Sequence, residues 1–260
     1  MDLQLTGKRA LVTGSTKGIG KAIAQALAAE GVTVLVNGRN AEEVAQLARE
    51  LDGEACPGDV GDGPGCDAVA QRAQSGGPVD ILVNNAGIFQ PTPFGEIDDA
   101  TWDRFYQVNV MSGIRLSRAL LPPMQERGWG RIVFISSESA MNIDPNMIHY
   151  CMTKTAQLSV ARGLAKLCQG TEVTVNSVLP GPTWTEGVST FVGQVAEAQG
   201  TDKASMRAGF VAQNRGSSIT QRFAGPKEVG DMVAFVCSPR ASSTTGAALR
   251  CEGGIVDVCF

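Results

Sequence analysis

The sequence predicts an α/β fold in which a single doubly wound parallel β-sheet is covered by helices on both faces. Short apolar runs rich in β-branched residues alternate with segments whose apolar residues recur at helical spacing. No Pro/Gly/Ser-rich linker, charge run or repeat divides the 260 residues. We therefore expect one domain that spans residues 1–260.

The predicted elements follow from these patterns. The apolar runs predicted as strands cover residues 10–12, 33–37, 80–84, 131–135, 172–178 and 247–250. Helical spacing predicts helices after the first run, over about 44–51, 101–125 and 150–167, and after Pro226. A ligand crevice lies at the carboxyl ends of parallel strands, so we expect convergence there of Gly14, Asn85, Ser137 and Pro180.

Residues 184–216 have a different character, because glycines are interspersed there with apolar residues. The segment follows a predicted strand end, where long insertions are often functional. We expect it to be a mobile, partly helical lid, with a plain surface insertion as the alternative.

Composition excludes several classes of function. The net charge of −4 argues against a general nucleic-acid surface. We expect no signal peptide and no membrane span, since the first residues lack the required pattern and no apolar run approaches roughly 18 residues. Seven cysteines at long spacings, without C-x-x-C, fit reduced thiols in the cytoplasm. The single histidine, His149, excludes a multi-His metal site.

The first predicted strand leads into a glycine-rich turn that opens a helix. Main-chain N–H groups and the helix dipole at such a turn favour a phosphate group. The spacing G-x-x-x-G-x-G fits neither a Walker A loop nor the common G-x-G-x-x-G fingerprint. The turn alone therefore leaves a phosphate cradle and an ordinary strand–helix loop both open.

A tyrosine and a lysine, Tyr150 and Lys154, stand four positions apart on a predicted helix, which places them on one face. The lysine charge favours the phenolate, so we expect it to lower the pKa of Tyr150 and to ease proton exchange. Ser137, at a predicted strand end, could polarise a substrate oxygen. We interpret its neighbour Ser136 as supporting structure and Glu138 as a solvated or salt-bridged residue. His149 points about 100° away from Tyr150, which makes it pocket edge or structure and not a base.

Together these motifs closely resemble the short-chain dehydrogenase/reductase family in its single-domain Rossmann-type form. The matching residues occur in family order along the whole chain: Thr13-Gly14-Ser15-Thr16-Lys17-Gly18-Ile19-Gly20, Asp59-Val60, Asn84-Asn85-Ala86-Gly87, Asn109, Ser137, Tyr150-x-x-x-Lys154 and Asn176-x-Val178-x-Pro180-Gly181-Pro182-Thr183.

The resemblance implies a catalytic set. Tyr150 would be the general acid or base, Lys154 would lower its pKa and hold the nicotinamide ribose, and Ser137 would polarise the carbonyl. Asn109 would hold a water that relays protons to Lys154. The resemblance also implies a set of cofactor-binding residues: Gly14, Ser15, Thr16, Lys17, Gly18, Ile19, Gly20, Asp59, Val60, Asn85, Ala86, Gly87, Tyr150, Lys154, Pro180, Gly181, Thr183 and Thr185.

The end of the second strand indicates which dinucleotide is preferred. An NAD-preferring member carries an acid there, but this chain has Gly38 followed by Arg39. Arg39 can pair with a 2′-phosphate, and Lys17 adds a second positive charge. We therefore expect NADP(H) to be preferred over NAD(H), although each cation alone could be a solvated surface residue.

The sequence thus favours an NADP(H)-dependent oxidoreductase that interconverts a ketone or aldehyde and an alcohol. A non-catalytic dinucleotide-binding sensor or scaffold is the alternative, and a hydrolase is disfavoured because no G-x-S-x-G is present. Apolar residues suggest a hydrophobic small-molecule substrate, and the predicted pocket residues are Met141, Ile143, Met147, Trp184, Val188 and Phe191. Family resemblance implies a homotetramer paired through 101–125 and 150–167, with the apolar residues 255–260 at another subunit contact.

Overall fold

The computed structural model describes residues 1–259, and these residues form a seven-stranded sheet in which every strand pair is parallel. The strand order is β3-β2-β1-β4-β5-β6-β7, so the winding direction changes between β1 and β4. The predicted fold class is confirmed. The strands are β1 (Arg9–Val12), β2 (Thr33–Val36), β3 (Glu54–Ala55), β4 (Ile81–Asn84), β5 (Trp129–Ile135), β6 (Glu172–Pro180) and β7 (Ala248–Cys251).

Helices cover both faces of this sheet. Their bounds are α1 (Gly18–Ala29), α2 (Ala41–Glu50), α3 (Gly63–Ser75), α4 (Asp99–Tyr106), α5 (Ser112–Glu126), α6 (Ile148–Leu167), α7 (Glu186–Ala198), α8 (Lys203–Asn214) and α9 (Pro226–Cys237). Val12 on β1 packs with Ile23 and Leu27 of α1, whereas Leu11 faces the opposite layer, with Leu116 of α5. Alternate strand residues are therefore buried on opposite sides, which is why these strands appear in the sequence as continuous apolar runs.

The predicted long helix over 101–125 differs from the structure. It is two helices, α4 and α5, joined by a π-helical turn at Gln107–Met111. The apolar periodicity continues through the turn, so it cannot show the one-residue widening. The turn contains Asn109, and such bulges are frequent at functional sites.

Two elements, β3 and α3, were not predicted. β3 is a two-residue edge strand, which is too short to leave an apolar run. α3 opens with Gly63-Pro64-Gly65, and its first turn is stabilised by Asp62, whose Oδ1 accepts a hydrogen bond from Gly65 N at 2.8 Å. These residues look like a turn in the sequence although they begin a helix.

The predicted lid segment, 184–216, contains two helices, α7 and α8. Their apolar faces form a small cluster of their own, separate from the two cores beside the sheet. It is built from Val192, Ala196, Met206, Val211 and Phe223. The segment is therefore mostly helical and has its own packed interior.

All seven cysteines are free of disulfides. Within residues 1–259, none of the helices is long and apolar enough to cross a membrane, and His, Cys, Asp and Glu do not gather into a metal-binding cluster. Of the apolar stretch predicted at the chain end, Phe260 lies outside the described residues.

Candidate active site

The site lies at the carboxyl ends of the central strands, on either side of the change in winding. Asn85, just after β4, donates from Nδ2 to the carbonyls of Thr13 (2.8 Å) and Gly14 (3.1 Å), which follow β1. Ser137 and Pro180, at the ends of β5 and β6, line one cavity. The parallel sheet thus brings four distant segments of the sequence to one edge.

The glycine-rich turn has a geometry that side chains would obstruct. Gly14 and Gly18 have φ angles of 60° and 58°, the left-handed region that favours glycine. A Cβ atom on Gly20 would lie 2.3 Å from the carbonyl oxygen of Gly14, so α1 can begin this close to β1 only with glycine there. Ser15 is fully buried and accepts a hydrogen bond from Asn37 N at 2.9 Å, so its side chain supports the turn from inside.

An acidic side chain caps this turn. Glu186, the first residue of α7, accepts a hydrogen bond at Oε2 from Gly18 N at 3.1 Å. The neighbouring Thr185 lies against Gly18, where a Cβ would be 3.3 Å from Thr185 Cγ2. The Glu186 carboxylate occupies the position at the N-terminus of α1 where an anionic ligand group would bind. The turn therefore fits a phosphate group, as a dinucleotide would supply.

The residues predicted to surround the adenosine end lie at the surface. Gly38 approaches the turn closely, since a Cβ there would be 3.0 Å from Thr16 Cγ2, and Arg39 beside it is exposed. Lys17 is also exposed and forms a 2.9 Å ion pair with Glu43 of α2. Asp59 is exposed, and the following Val60 is buried. No acid stands at the end of β2, and two cations border the turn.

The serine and the tyrosine of the predicted catalytic set are in contact. Ser137 lies beside Tyr150, where its hydroxyl lowers the pKa of the phenol, and both residues line the cavity. Lys154 lies one helical turn further along α6, and its Nζ is 5.5 Å from the centre of the Tyr150 ring. This ammonium donates to the carbonyl of Ile135 at 2.9 Å. Ser136 donates to the Lys154 carbonyl at 2.9 Å, in agreement with a supporting role.

The pKa values differ from the expectation for this pair. Burial raises the pKa of Tyr150 to about 12, and the neighbouring Ser137 hydroxyl offsets only part of that increase. Burial also lowers the pKa of Lys154 to about 8. The expected lowering of the Tyr150 pKa by Lys154 is therefore not seen in this structure. Desolvation, which a sequence pattern does not reveal, sets the direction of the shift.

Asn109 is buried in the π turn and is fully hydrogen bonded. Its side chain accepts from Ile88 N at 2.8 Å and donates to Thr153 Oγ1 at 3.0 Å. Its main-chain carbonyl accepts from Gln157 Nε2 at 2.6 Å. The amide oxygen of Gln157 lies 3.4 Å from Lys154 Nζ. The Gln157 side chain thus links the main chain of Asn109 to Lys154.

Gln157 was not among the predicted site residues. The sequence feature that could have indicated it is its position three residues after Lys154, on a helix face that is otherwise buried. A polar residue on a buried face needs partners, and here both ends of the amide have one.

The cavity has a volume of about 540 Å³, and three of the six predicted pocket residues line it: Met147, Val188 and Phe191. Met141 and Ile143 are 41% and 52% exposed and do not belong to the lining. Trp184 faces two neighbouring cavities and packs edge-to-face on Phe223. These three residues are corrections, because Met141 and Ile143 are exposed on the loop before α6 and Trp184 packs on Phe223 beside the neighbouring cavities.

His149 and Glu138 are both buried. The His149 ring has no exposure and packs 4.2 Å from the Phe105 ring, centre to centre, so its role is structural. Glu138 is only 3% exposed and pairs with Arg215 of the 184–216 segment at 2.9 Å. The salt-bridged reading of Glu138 is thus correct, whereas a solvated carboxylate is not.

Comparison with known proteins supports the family that the sequence motifs indicate. A sequence model of short chain dehydrogenases matches residues 8–194. The uncharacterized oxidoreductase YvaG of Bacillus subtilis is 46% identical, with all of both chains covered.

Two solved structures illustrate the range of similar folds. L-sorbose reductase from Gluconobacter frateurii, complexed with NADPH and L-sorbose, has a TM-score of 0.94 at 30% identity and covers 99% of this chain and 100% of its own. A 7α-hydroxysteroid dehydrogenase complexed with NADH and 7-oxo glycochenodeoxycholic acid has a TM-score of 0.82 at 31% identity, with 97% and 96% covered. One neighbour holds a sugar and the other a steroid, so the substrate follows from the site and not from the fold.

Proposed function

The chain belongs to the short-chain dehydrogenase/reductase family, and from its site we propose that it is an NADP(H)-dependent oxidoreductase that interconverts a ketone or aldehyde and an alcohol. An oxidoreductase that uses a nicotinamide dinucleotide already follows from family membership. The proposal adds the preference for NADP(H) and the roles of the residues. The observation that carries it is that Ser137 and Tyr150 lie side by side in the wall of one cavity.

The bound nicotinamide would supply the hydride, or accept it in the reverse direction. The protein supplies the proton and the geometry. With a pKa of about 12, the phenol of Tyr150 is protonated at neutral pH, which is the state needed to donate a proton to a carbonyl oxygen. Ser137, which lies beside Tyr150, would donate to the same oxygen and polarise it.

Lys154 would hold the ribose and favour the phenolate after proton transfer. Its ammonium is fixed by the Ile135 carbonyl and Gln157. A Cβ on Gly87 would touch Asn109 Oδ1 at 3.4 Å and Lys154 Nζ at 3.6 Å, so the missing side chain leaves that space free. A ligand hydroxyl can therefore reach the ammonium from the glycine side.

The preference for NADP(H) is supported by charge at the adenosine end. Arg39 is exposed next to the glycine-rich turn, and Gly38 puts no carboxylate where an NAD-preferring protein needs one. Lys17 adds a second cation, although Glu43 holds it in the free chain. A 2′-phosphate would compete with Glu43 for that ammonium.

A panel of ketones and aldehydes assayed with NADPH and with NADH tests the function. We expect turnover with NADPH, and a loss of at least about a hundredfold in kcat for Tyr150→Phe, which removes only the acidic hydroxyl. Dinucleotide binding by fluorescence should persist in that variant. Tight NADPH binding without oxidation by any carbonyl compound would favour the alternative, a non-catalytic sensor or scaffold.

We also propose a homotetramer, in which α4, α5 and α6 pair between subunits. Tyr106 and Met152, on these helices, are 39% and 38% exposed, and Leu167 at the end of α6 is 67% exposed. Such side chains suit a helix-to-helix contact between copies. Light scattering tests this, and a monomer would contradict it.

A further inference from the structure

The cavity contains a buried carboxylate oxygen without a partner. Glu138 is 3% exposed, and its Oε2 has no hydrogen-bond partner among residues 1–259. The other oxygen, Oε1, accepts from Arg215 Nε at 2.9 Å and from Ser139 Oγ at 3.2 Å. A buried carboxylate oxygen left unpaired is costly, so a ligand donor at this point would be favoured.

The position of this oxygen is held from two sides. Arg215, at the end of α8, reaches Glu138 with Nε and Asp144 with Nη2, at 2.9 and 3.2 Å. Burial opposes the charge on this guanidinium, but the two carboxylates outweigh it and raise the pKa of Arg215. The arginine is therefore committed to these contacts and is not free to bind an anionic substrate.

The charges at this end of the cavity do not cancel. Glu138 and Asp144 carry two negative charges against the single positive charge of Arg215, and all three line the cavity. A substrate carboxylate or phosphate placed here would be repelled. A neutral hydroxyl group can donate one hydrogen bond to Glu138 Oε2 and needs no counter-charge.

Glu138 directly follows Ser137, and both residues line the same cavity as Tyr150. A substrate whose carbonyl is held by Ser137 and Tyr150 therefore shares this cavity with the Glu138 carboxylate, and a hydroxyl group close to that carbonyl is the donor best placed to meet it.

We propose that Glu138 is a specificity-determining residue, whose free oxygen binds a hydroxyl group beside the reacting carbonyl. The preferred substrate is then a neutral hydroxy ketone or a sugar-like polyol. This proposal rests on the proposed carbonyl chemistry and refines the substrate class. It replaces a purely hydrophobic substrate with one that is polar near the carbonyl, while Val188, Phe191 and Phe210 leave an apolar wall for the remainder.

The test compares hydroxyacetone with butanone, a pair in which a hydroxyl group replaces a methyl group next to the carbonyl. The measured quantity is the ratio of their kcat/KM values. We expect the wild type to favour hydroxyacetone, and Glu138→Gln to reduce that ratio by at least about tenfold, as for a lost hydrogen bond to a charged group. A comparison of ratios cancels the different intrinsic reactivity of the two ketones.

Asp144→Asn is the matched control. It removes one carboxylate from Arg215, while Arg215 Nε keeps its 2.9 Å contact with Glu138 Oε1, so both ketones should be affected alike and the ratio should stay within about twofold. A ketohexose paired with the analogue lacking one hydroxyl beside the carbonyl extends the comparison. A ratio that Glu138→Gln leaves unchanged, or a preference for aminoacetone over hydroxyacetone, would overturn the proposal.

Binding distinguishes this proposal from the proposed function. If no carbonyl compound is turned over with either dinucleotide, the proposed function fails, but ligand-observed NMR still measures binding of the ketohexose and its deoxy analogue. Weaker ketohexose binding in Glu138→Gln, with deoxy-analogue binding retained, would support the hydroxyl site. Equal losses for both compounds would reject it.

Discussion

The side-chain amide of Gln157 donates a 2.6 Å hydrogen bond to the main-chain carbonyl of Asn109. The oxygen of the same amide lies 3.4 Å from Lys154 Nζ, so Gln157 connects the π turn to the candidate catalytic lysine. Gln157 is 2% exposed, and both ends of its amide are used. It positions Lys154 and does not itself face the cavity.

This relationship predicts opposite effects for two substitutions of Gln157. Lys154, with a pKa of about 8, loses its proton as the pH rises through that value, so kcat/KM for reduction should fall there. Gln157→Leu removes a partner of the ammonium and should move the inflection to lower pH. Gln157→Glu adds a carboxylate beside it and should move the inflection to higher pH.

The pH profile of kcat/KM measures both shifts. Gln157→Leu also leaves the Asn109 carbonyl without its donor, which should lower the free energy of unfolding by about 1–3 kcal/mol. A purely structural glutamine would give that loss of stability but two profiles with the wild-type inflection, and such a result would refute the positioning role.

The low pKa of Lys154 implies that the free energy of unfolding depends on pH. This pKa is about 8 in the folded chain against the ordinary lysine value of 10.5 in the unfolded one, so between these values the unfolded chain binds more protons. The contribution of Lys154 to stability therefore rises with pH over this window, by about 3 kcal/mol in total. Lys154→Met lacks this contribution, and denaturant titrations from pH 7 to about 11 should show the wild type gaining on the variant. A constant difference would mean that the lysine is not desolvated as the structure indicates.

We expect that removing the charge of Glu186 increases the affinity for the dinucleotide. The Glu186 carboxylate accepts from Gly18 N at the N-terminus of α1, where a phosphate would bind. A diphosphate must displace and repel this carboxylate, so Glu186→Gln should tighten NADPH binding by about two- to fivefold, the scale of a charge at a helix end. Calorimetric titration measures the change.

The control is Glu197→Gln, an exposed carboxylate further along the same helix, α7. It alters the net charge equally but lies eleven residues beyond Glu186, about 16 Å further along the helix axis, so it should leave NADPH affinity near that of the wild type. The advantage of Glu186→Gln should shrink in high salt, because ions screen the repulsion. Equal or weaker binding by Glu186→Gln would show that the carboxylate does not compete with the dinucleotide.

The sequence predicts those structural features that depend on residues close together in the chain. β1, β2 and β4 are buried on both faces, so each is visible as an apolar run. β3 was missed because its two residues lie at the sheet edge and are not fully buried. The π turn was missed because the apolar periodicity passes through it without a break.

In the site, too, features that depend on nearby residues could be predicted, and features that depend on tertiary packing could not. The positions of Ser137, Tyr150 and Lys154 relative to each other follow from strand ends and helical spacing. The Glu138–Arg215 ion pair joins residues 77 positions apart, and no periodicity brings them together. The high pKa of Tyr150 arises from desolvation by many neighbours, which depends on tertiary packing.

Arg39 predicts a change of cofactor preference. It is exposed beside Gly38, next to the glycine-rich turn, where a bidentate pair with a 2′-phosphate is available. Arg39→Asp replaces that cation with the acid that can accept from a ribose 2′-hydroxyl. The ratio of kcat/KM for NADPH to that for NADH should fall by at least about tenfold. Arg49→Asp, the same charge change at an exposed position at the end of α2, should leave the ratio nearly unchanged.

Substitution of Glu43 tests the same 2′-phosphate site in the opposite direction, because it should raise the affinity for NADPH. The 2.9 Å ion pair of Glu43 with Lys17 involves two partly exposed side chains, so breaking it should cost the fold at most about 1 kcal/mol. Glu43→Gln releases the Lys17 ammonium and removes a charge that repels phosphate, so NADPH should gain affinity while NADH is little affected. Fluorescence titration of both dinucleotides measures this selectivity. If Arg39→Asp and Glu43→Gln both leave the preference unaltered, the 2′-phosphate does not bind between α2 and the glycine-rich turn.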